Sequence, residues 1–191
     1  MDQMISAVGE ADHALLIDCR SLATQAVPLP NGVTLVTLDT GKRRELVTSE
    51  YGKRREQCEE ACRILRVPSL RDATAEMLAA RRADMPEVVY MRAKHVIEEN
   101  ARTLACVEAL RTGDMMTVGR LLNESHASLR DLYAVSIHEL DIMADLAQGQ
   151  PGVYGARMMG GGFGGACIAL VDDGAVGHAV GEVIRAYETA P

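Results

Sequence analysis

Residues 153–171 read Val153-Tyr-Gly-Ala-Arg-Met-Met-Gly-Gly-Gly-Phe-Gly-Gly-Ala-Cys-Ile-Ala-Leu-Val171, and no other stretch constrains the fold as much. Five glycines fall within six positions, and the residue between them, Phe163, is the only Phe of the chain. Apolar runs flank the glycines on both sides, so the segment predicts two strands joined by a bare loop rather than a flexible linker. Gly160, Gly161, Gly162, Gly164 and Gly165 can take positive φ and let another group reach the backbone. Composition leaves two readings open. Successive N–H groups can form an anion-binding concavity, or a wide hairpin loop can be bare for close packing alone. The residues after the loop exclude the common phosphate loops. A P-loop needs Lys-Ser/Thr and then a helix, whereas Ala166-Cys167 and a strand-like run stand here. A dinucleotide-binding turn also leads into a helix. The protein-kinase Gly-rich loop travels with H-R-D and D-F-G, which the chain lacks.

The 191 residues are 48% hydrophobic, enough for one core. A net charge of −7 argues against nucleic-acid binding, which needs a Lys/Arg surplus. No apolar run reaches the roughly 18 residues of a membrane span. Met1-Asp-Gln-Met-Ile-Ser6 lacks the basic and apolar regions of a signal peptide, so a cytoplasmic protein is expected. Cys19, Cys58, Cys62, Cys106 and Cys167 are odd in number and complete no zinc set, which predicts reduced, buried thiols.

His13–Asp18 and Val33–Leu38 predict strands that could pair antiparallel, with Pro28, Pro30 and Asn31-Gly32 as a turn between them. From Ser49 the period becomes helical: Cys58, Ala61, Cys62 and Leu65 share a face, and Val67-Pro68 ends it. Ser69 is an expected N-cap. Pro86 opens a long helix through Leu110, with Gly113 at its end, and another helix spans Met115–Leu129. Ser136-Ile-His-Glu139 reads as a capping box for a helix to Gln148, and a last helix covers Ala175–Tyr187. Strands do not alternate with single helices, so the class expected is α+β: hairpins with helices grouped on them.

The glycine segment resembles the third motif of the galactose/homoserine/mevalonate/phosphomevalonate (GHMP) kinases in its galactokinase form. So, in order, do Leu16–Leu22, Asp39–Leu46, Ser49–Arg55, Val67–Asp72, Ser125–Asp131 and Val135–Asp141. The resemblance runs along nearly the whole chain. It implies the ferredoxin-like C-terminal GHMP domain, an antiparallel sheet with helices packed on it. It also implies one domain over residues 1–191, corresponding to a carboxy-terminal half. The family's Gly-Glu-His-Thr-Asp-Tyr sugar segment and Ser-rich ATP loop are not found in these residues, nor is its last strand after the final helix. The expectation is therefore a truncated galactokinase whose N-terminal ATP-binding domain is absent. Departures are Met159 where Thr is usual, Ala166 where Cys commonly follows the last Gly, and His138 where Pro is usual.

Carried over residue by residue, the resemblance makes Asp2, in Met1-Asp2-Gln3, the catalytic aspartate at the sugar's anomeric hydroxyl. It makes Tyr51 a sugar contact and Gly160–Gly165 the wall near sugar and terminal phosphates. Phe163 is expected to anchor the loop by packing. No metal ligand is assigned within the chain. ATP and Mg²⁺ are the cofactors implied for the full-length enzyme, and galactose and ATP the small-molecule partners. The expected activity is phosphorylation of galactose at its anomeric hydroxyl, absent from the isolated fragment. The alternatives are a non-catalytic sugar sensor or interaction protein, and another GHMP sugar kinase such as N-acetylgalactosamine kinase. A face that would pack on a partner domain leads us to expect a homo-oligomer.

Overall fold

The structure, a computed structural model, describes residues 1–43 and 47–190, without the side chains of Asp2 and residues 47–49. Two sheets form: β1 (His13–Ile17) pairs antiparallel with β2 (Thr24–Pro28), and β3 (Val33–Asp39), β5 (Ala166–Asp172) and β4 (Val153–Met158) form an antiparallel sheet in the order β3-β5-β4. The helices are α1 (Asp2–Val8), α2 (Val47–Leu65), α3 (Ala75–Ala80), α4 (Glu87–Thr112), α5 (Met115–Ser128), α6 (His138–Gln148) and α7 (Val176–Glu188). A π turn at Leu129–Tyr133 continues α5.

The central sheet is covered on both faces, as strand alternation requires. Leu38, Ala156, Met158, Cys167, Ala169 and Val171 meet Leu140, Met143, Ala144 and Ala147 of α6 and Ala179 and Val183 of α7. On the other face, Leu170 packs with Ala109 of α4 and Met115 and Val118 of α5. There α5 lies directly on β4. A Cβ on Gly119 would overlap the Tyr154 carbonyl, and one on Gly155 the Gly119 carbonyl, so this contact requires both glycines. β4 is an edge strand, and its outward backbone is taken by side chains: Asn123 Oδ1 accepts from Ala156 N at 2.9 Å, and Gln148 Nε2 donates to Ala156 O at 2.8 Å. A separate core joins α2, α3 and the first half of α4 through Ala61, Leu65, Leu78, Val89 and Ala93.

Several expectations need correction. β1 pairs with the unexpected strand β2, not with β3. Pro28 fits there because it is the strand's last residue, on a two-stranded ribbon where a missing N–H costs little. β3 instead joins β5 through seven residue pairs, from Val33↔Asp172 to Asp39↔Ala166. α1 was not expected. Ser69 and Ser136 do not cap by side chain; Ser136 Oγ donates instead to Asp141 Oδ1 at 2.5 Å. The thiols are free but not uniformly buried: Cys167 is buried, Cys58, Cys62 and Cys106 are intermediate, and Cys19 is exposed. Among the described residues, no helix is long and apolar enough to cross a membrane.

Candidate active site

The glycine loop leaves the sheet where Met158 pairs with Cys167, and Met159 N closes on Ala166 O at 2.9 Å. Positive φ holds at Gly160 (71°), Gly162 (83°), Phe163 (59°), Gly164 (128°) and Gly165 (94°). Phe163 alone among these carries a Cβ, a conformation that costs about 1–3 kcal/mol and persists only where surroundings over-determine it. Three chain segments do so. Tyr51 of α2 lies across Gly161, where any Cβ would overlap its hydroxyl, and meets the Phe163 ring edge-on, 5.8 Å between centroids at 83°. Val135, just past the π turn, accepts from Phe163 N at 2.8 Å and leaves no room for a Cβ on Gly162. The end of β3 supplies the third clamp. Gly165 N donates to Lys42 O at 2.9 Å, and Thr40 Oγ1 donates to Gly165 O at 2.5 Å. A Cβ on Gly164 would fall 2.9 Å from Lys42 O.

Close packing therefore accounts for Gly161, Gly162 and Gly164, and Phe163 anchors the loop as expected. Among the described residues, the N–H groups of Gly160, Gly161, Gly162 and Gly164 take no backbone acceptor. Tyr51 is 36% exposed and Met159 37%, so both present surface at the loop. Lys42 is 59% exposed in its side chain and pairs with Glu139 at 2.9 Å.

The clamp through Val135 rests on two buried arginines: helical periodicity sets Arg54 on the wet face of α2, but the structure buries it, as it does Arg92. A π turn ends with carbonyls lacking helical partners. Arg54 Nε donates to Tyr133 O at 2.7 Å and its Nη2 to Ala134 O at 2.6 Å, while Arg92 Nη1 donates to Leu132 O. Arg54 also sits 6.0 Å above the Phe163 ring, so one guanidinium touches both the turn and the loop. Burial and the nearby Arg54 charge pull the Arg92 pKa down. His95 stacks on Tyr133 at 4.5 Å and bonds Ser128 Oγ at 2.8 Å; burial lowers its pKa to about 4. The only available signal was a set of polar residues on otherwise apolar helix stripes.

Two further polar groups hold the strand that feeds the loop. His126 Nδ1 accepts from Met158 N at 3.2 Å, which places the imidazole proton on Nε2, 3.3 Å from Asp141 Oδ1 but poorly aligned for a hydrogen bond. Burial lowers the His126 pKa, and Asp141 opposes the shift. On the other sheet face, Arg157 Nε donates to Met158 O at 2.9 Å, and its Nη1 reaches Ser125 Oγ at 2.8 Å and Glu99 Oε1 at 3.1 Å. Burial lowers the Arg157 pKa, with Glu99 acting against it.

Of the expected site residues, Tyr51 and the loop glycines lie together, with Gly160 exposed, Gly161 and Gly165 half-buried, and Gly162 and Gly164 buried beneath them. Asp2 opens α1, and its side chain lies outside the described residues, as do Arg44, Glu45 and Leu46 of the Asp39–Leu46 motif. Among the described residues, no three His, Cys, Asp or Glu side chains gather to hold a metal.

The profile of the GHMP kinases C terminal family matches residues 106–189. The chain is 49% identical over 98% of its length to a galactokinase of Chloroflexus aggregans, covering 49% of that protein. It is 45% identical over its whole length to one of Roseiflexus, covering 50%. It thus spans about half the length of the curated relatives it matches. Lactococcus lactis galactokinase, solved in complex with galactose, superposes with a TM-score of 0.89 at 38% identity, over 94% of this chain and 48% of that one. A mevalonate kinase of L. major shares the fold with a TM-score of 0.55 at 20% identity, over 90% of this chain and 44% of that one. In fold and in similarity along its length, the chain resembles about half of a galactokinase, and residues 106–189 match the GHMP kinases C terminal domain.

Proposed function

We propose that this chain supplies the sugar-side wall of a galactokinase, in which the γ-phosphoryl group of ATP passes to the anomeric hydroxyl of galactose. The observation that carries the proposal is the surface made by Tyr51, Gly161 and Phe163: a partly exposed phenol whose hydroxyl lies over bare backbone. A pyranose offers hydroxyls to such a phenol and C–H faces to such rings.

In the reaction, the anomeric oxygen forms the new bond to phosphorus as ADP departs. Asp2 receives the hydroxyl proton or orients that hydroxyl, and Tyr51 fixes the ring. Phosphoryl transfer asks mainly for position and charge stabilisation. The clamped loop provides position here, because its backbone from Gly161 to Gly165 is held by three other segments before any ligand arrives. Mg²⁺ is the expected counter-ion of the ATP phosphates; the described residues offer no cluster for it, so none is assigned to it. The ATP loop is likewise not found in this sequence, and we propose that turnover requires the amino-terminal half of the relatives.

The test uses the chain mixed with that half, supplied from the Chloroflexus aggregans relative. Asp2→Asn should lower kcat by at least a hundredfold with little change in KM for galactose, and Tyr51→Phe should raise that KM several-fold. Unchanged kinetics in both variants would overturn the assignment.

A further inference from the structure

On the far side of the central sheet from α6 and α7, the β1–β2 hairpin and helices α4 and α5 line a half-open pocket of about 230 Å³. Its walls are apolar, built from Leu15, Leu16 and Val27 of the hairpin, Val107 and Leu110 of α4 and Leu121 of α5. One end is charged, lined by Glu99, Arg102, Ser125 and Arg157. Glu99 is shared: it accepts from Ser125, pairs with Arg157 at 3.1 Å, and pairs with Arg102. Two guanidinium groups against one carboxylate leave a local charge of +1. Glu98 and Glu124 stand farther out, 3.8 and 3.9 Å from Arg102, and each is matched by a cation of its own, Glu98 by Lys94 at 3.7 Å and Glu124 by Arg120 at 2.5 Å, so the excess of one positive charge stands.

Apolar walls closed at one end by one excess positive charge fit an amphipathic monoanion. A phosphate dianion would exceed that charge and leave the walls uncovered; an ammonium head would meet the arginines. An apolar cavity of about 150 Å³ accommodates benzene, so about 230 Å³ accommodates an aliphatic chain of about six to eight carbons. We propose that this cavity is a binding site for a medium-chain aliphatic monocarboxylate, its head group on Arg157 and Arg102 and its chain between the hairpin and the two helices. The site is separate from the Tyr51 surface and does not depend on the kinase assignment.

Calorimetric titration of the 191-residue chain with sodium octanoate, octanol, octylammonium and inorganic phosphate at matched ionic strength tests this. Octanoate should bind one-to-one and at least tenfold more tightly than octanol, while octylammonium and phosphate should not bind. Amide resonances of Leu15, Leu16 and Val107 should shift with octanoate. Arg102→Met should weaken octanoate at least tenfold and leave octanol unchanged. Val107→Phe, which fills the cavity from α4, should abolish binding of both while circular dichroism stays native. Equal binding of octanol and octanoate, unchanged binding in a folded Val107→Phe variant, or no heat and no shifts up to the solubility limit of octanoate would each overturn the proposal.

Discussion

The glycine loop and the β1–β2 hairpin both return the chain between antiparallel strands, and they are held in opposite ways. The loop is nearly bare of side chains, yet Tyr51, Val135 and Lys42 each touch its backbone. The hairpin carries Leu15, Leu16 and Val27 but stands over a cavity. Its far end is fastened by two exposed, bidentate pairs: Arg71 with Asp18 at 2.9 and 2.7 Å, and Arg20 with Asp72 at 2.9 and 2.6 Å. Glycine content thus says little about rigidity. What decides it is whether other chain segments fill the space that missing side chains leave.

Two glycine substitutions, one in the clamped loop and one in the open turn between β2 and β3, test this directly. Gly162 and Gly32 have the same φ of 83°, but a Cβ on Gly162 meets Val135 while one on Gly32 meets nothing within 4 Å. Gly32→Ala should cost only the left-handed conformation, about 1 kcal/mol. Gly162→Ala should add overpacking and total about 4 kcal/mol, read from urea denaturation. Equal costs would mean that the loop gives way and is not clamped.

Next in size is Arg54→Met, which leaves the Tyr133 and Ala134 carbonyls without their donors. The expected loss is about 3 kcal/mol, with faster hydrogen exchange at Val135 and Phe163 but not in β1.

Acid should separate the two regions by pH window. The folded pKa of His95, about 4, lies below the ordinary value of 6.5, so its neutral form stabilises the π turn above about pH 6.5. That contribution is lost as pH falls towards 4, by up to about 3 kcal/mol, and His126 acts in the same sense. Denaturation between pH 7 and 4 should show this slope, and His95→Gln should flatten it. In the hairpin, Arg71 and the amides of Ser21 and Arg20 hold Asp18 well below the usual carboxylate range, and Arg20 lowers Asp72. These depressed carboxylates keep their pairs above about pH 4 and lose them only below it. Hydrogen exchange in β1 should therefore accelerate at lower pH than exchange around Val135. The smallest effect is that of Asp18→Asn at pH 7, confined to faster exchange in the hairpin, with global unfolding within error.

Most of the fold was legible where apolar periodicity was local. α2, α4, α5, α6 and α7 and strands β3, β4 and β5 follow directly from their patterns. Pro28 hid β2 because its terminal position in the strand depends on pairing with His13. The sequence pattern ends α5 at Leu129, and nothing local announces a π turn over Leu129–Tyr133 whose carbonyls are taken by Arg54, 79 residues away, and Arg92, 40 residues away. The same limit applied to the site. The glycines were visible at once, but that Gly161 faces Tyr51 and Gly162 faces Val135 depends on contacts between distant segments, which spacing alone does not encode.

We propose that the loop is one wall of a galactokinase site completed by an ATP-binding half outside these 191 residues. The direct measurement is galactose-dependent ADP formation by this chain, by the amino-terminal half of the Chloroflexus aggregans relative, and by the two mixed, with their association followed by analytical ultracentrifugation. We predict no turnover from either half alone and magnesium-dependent turnover from the associated pair, abolished by Asp2→Asn. Turnover by this chain alone, or halves that associate with galactose and ATP present and form no ADP, would contradict it.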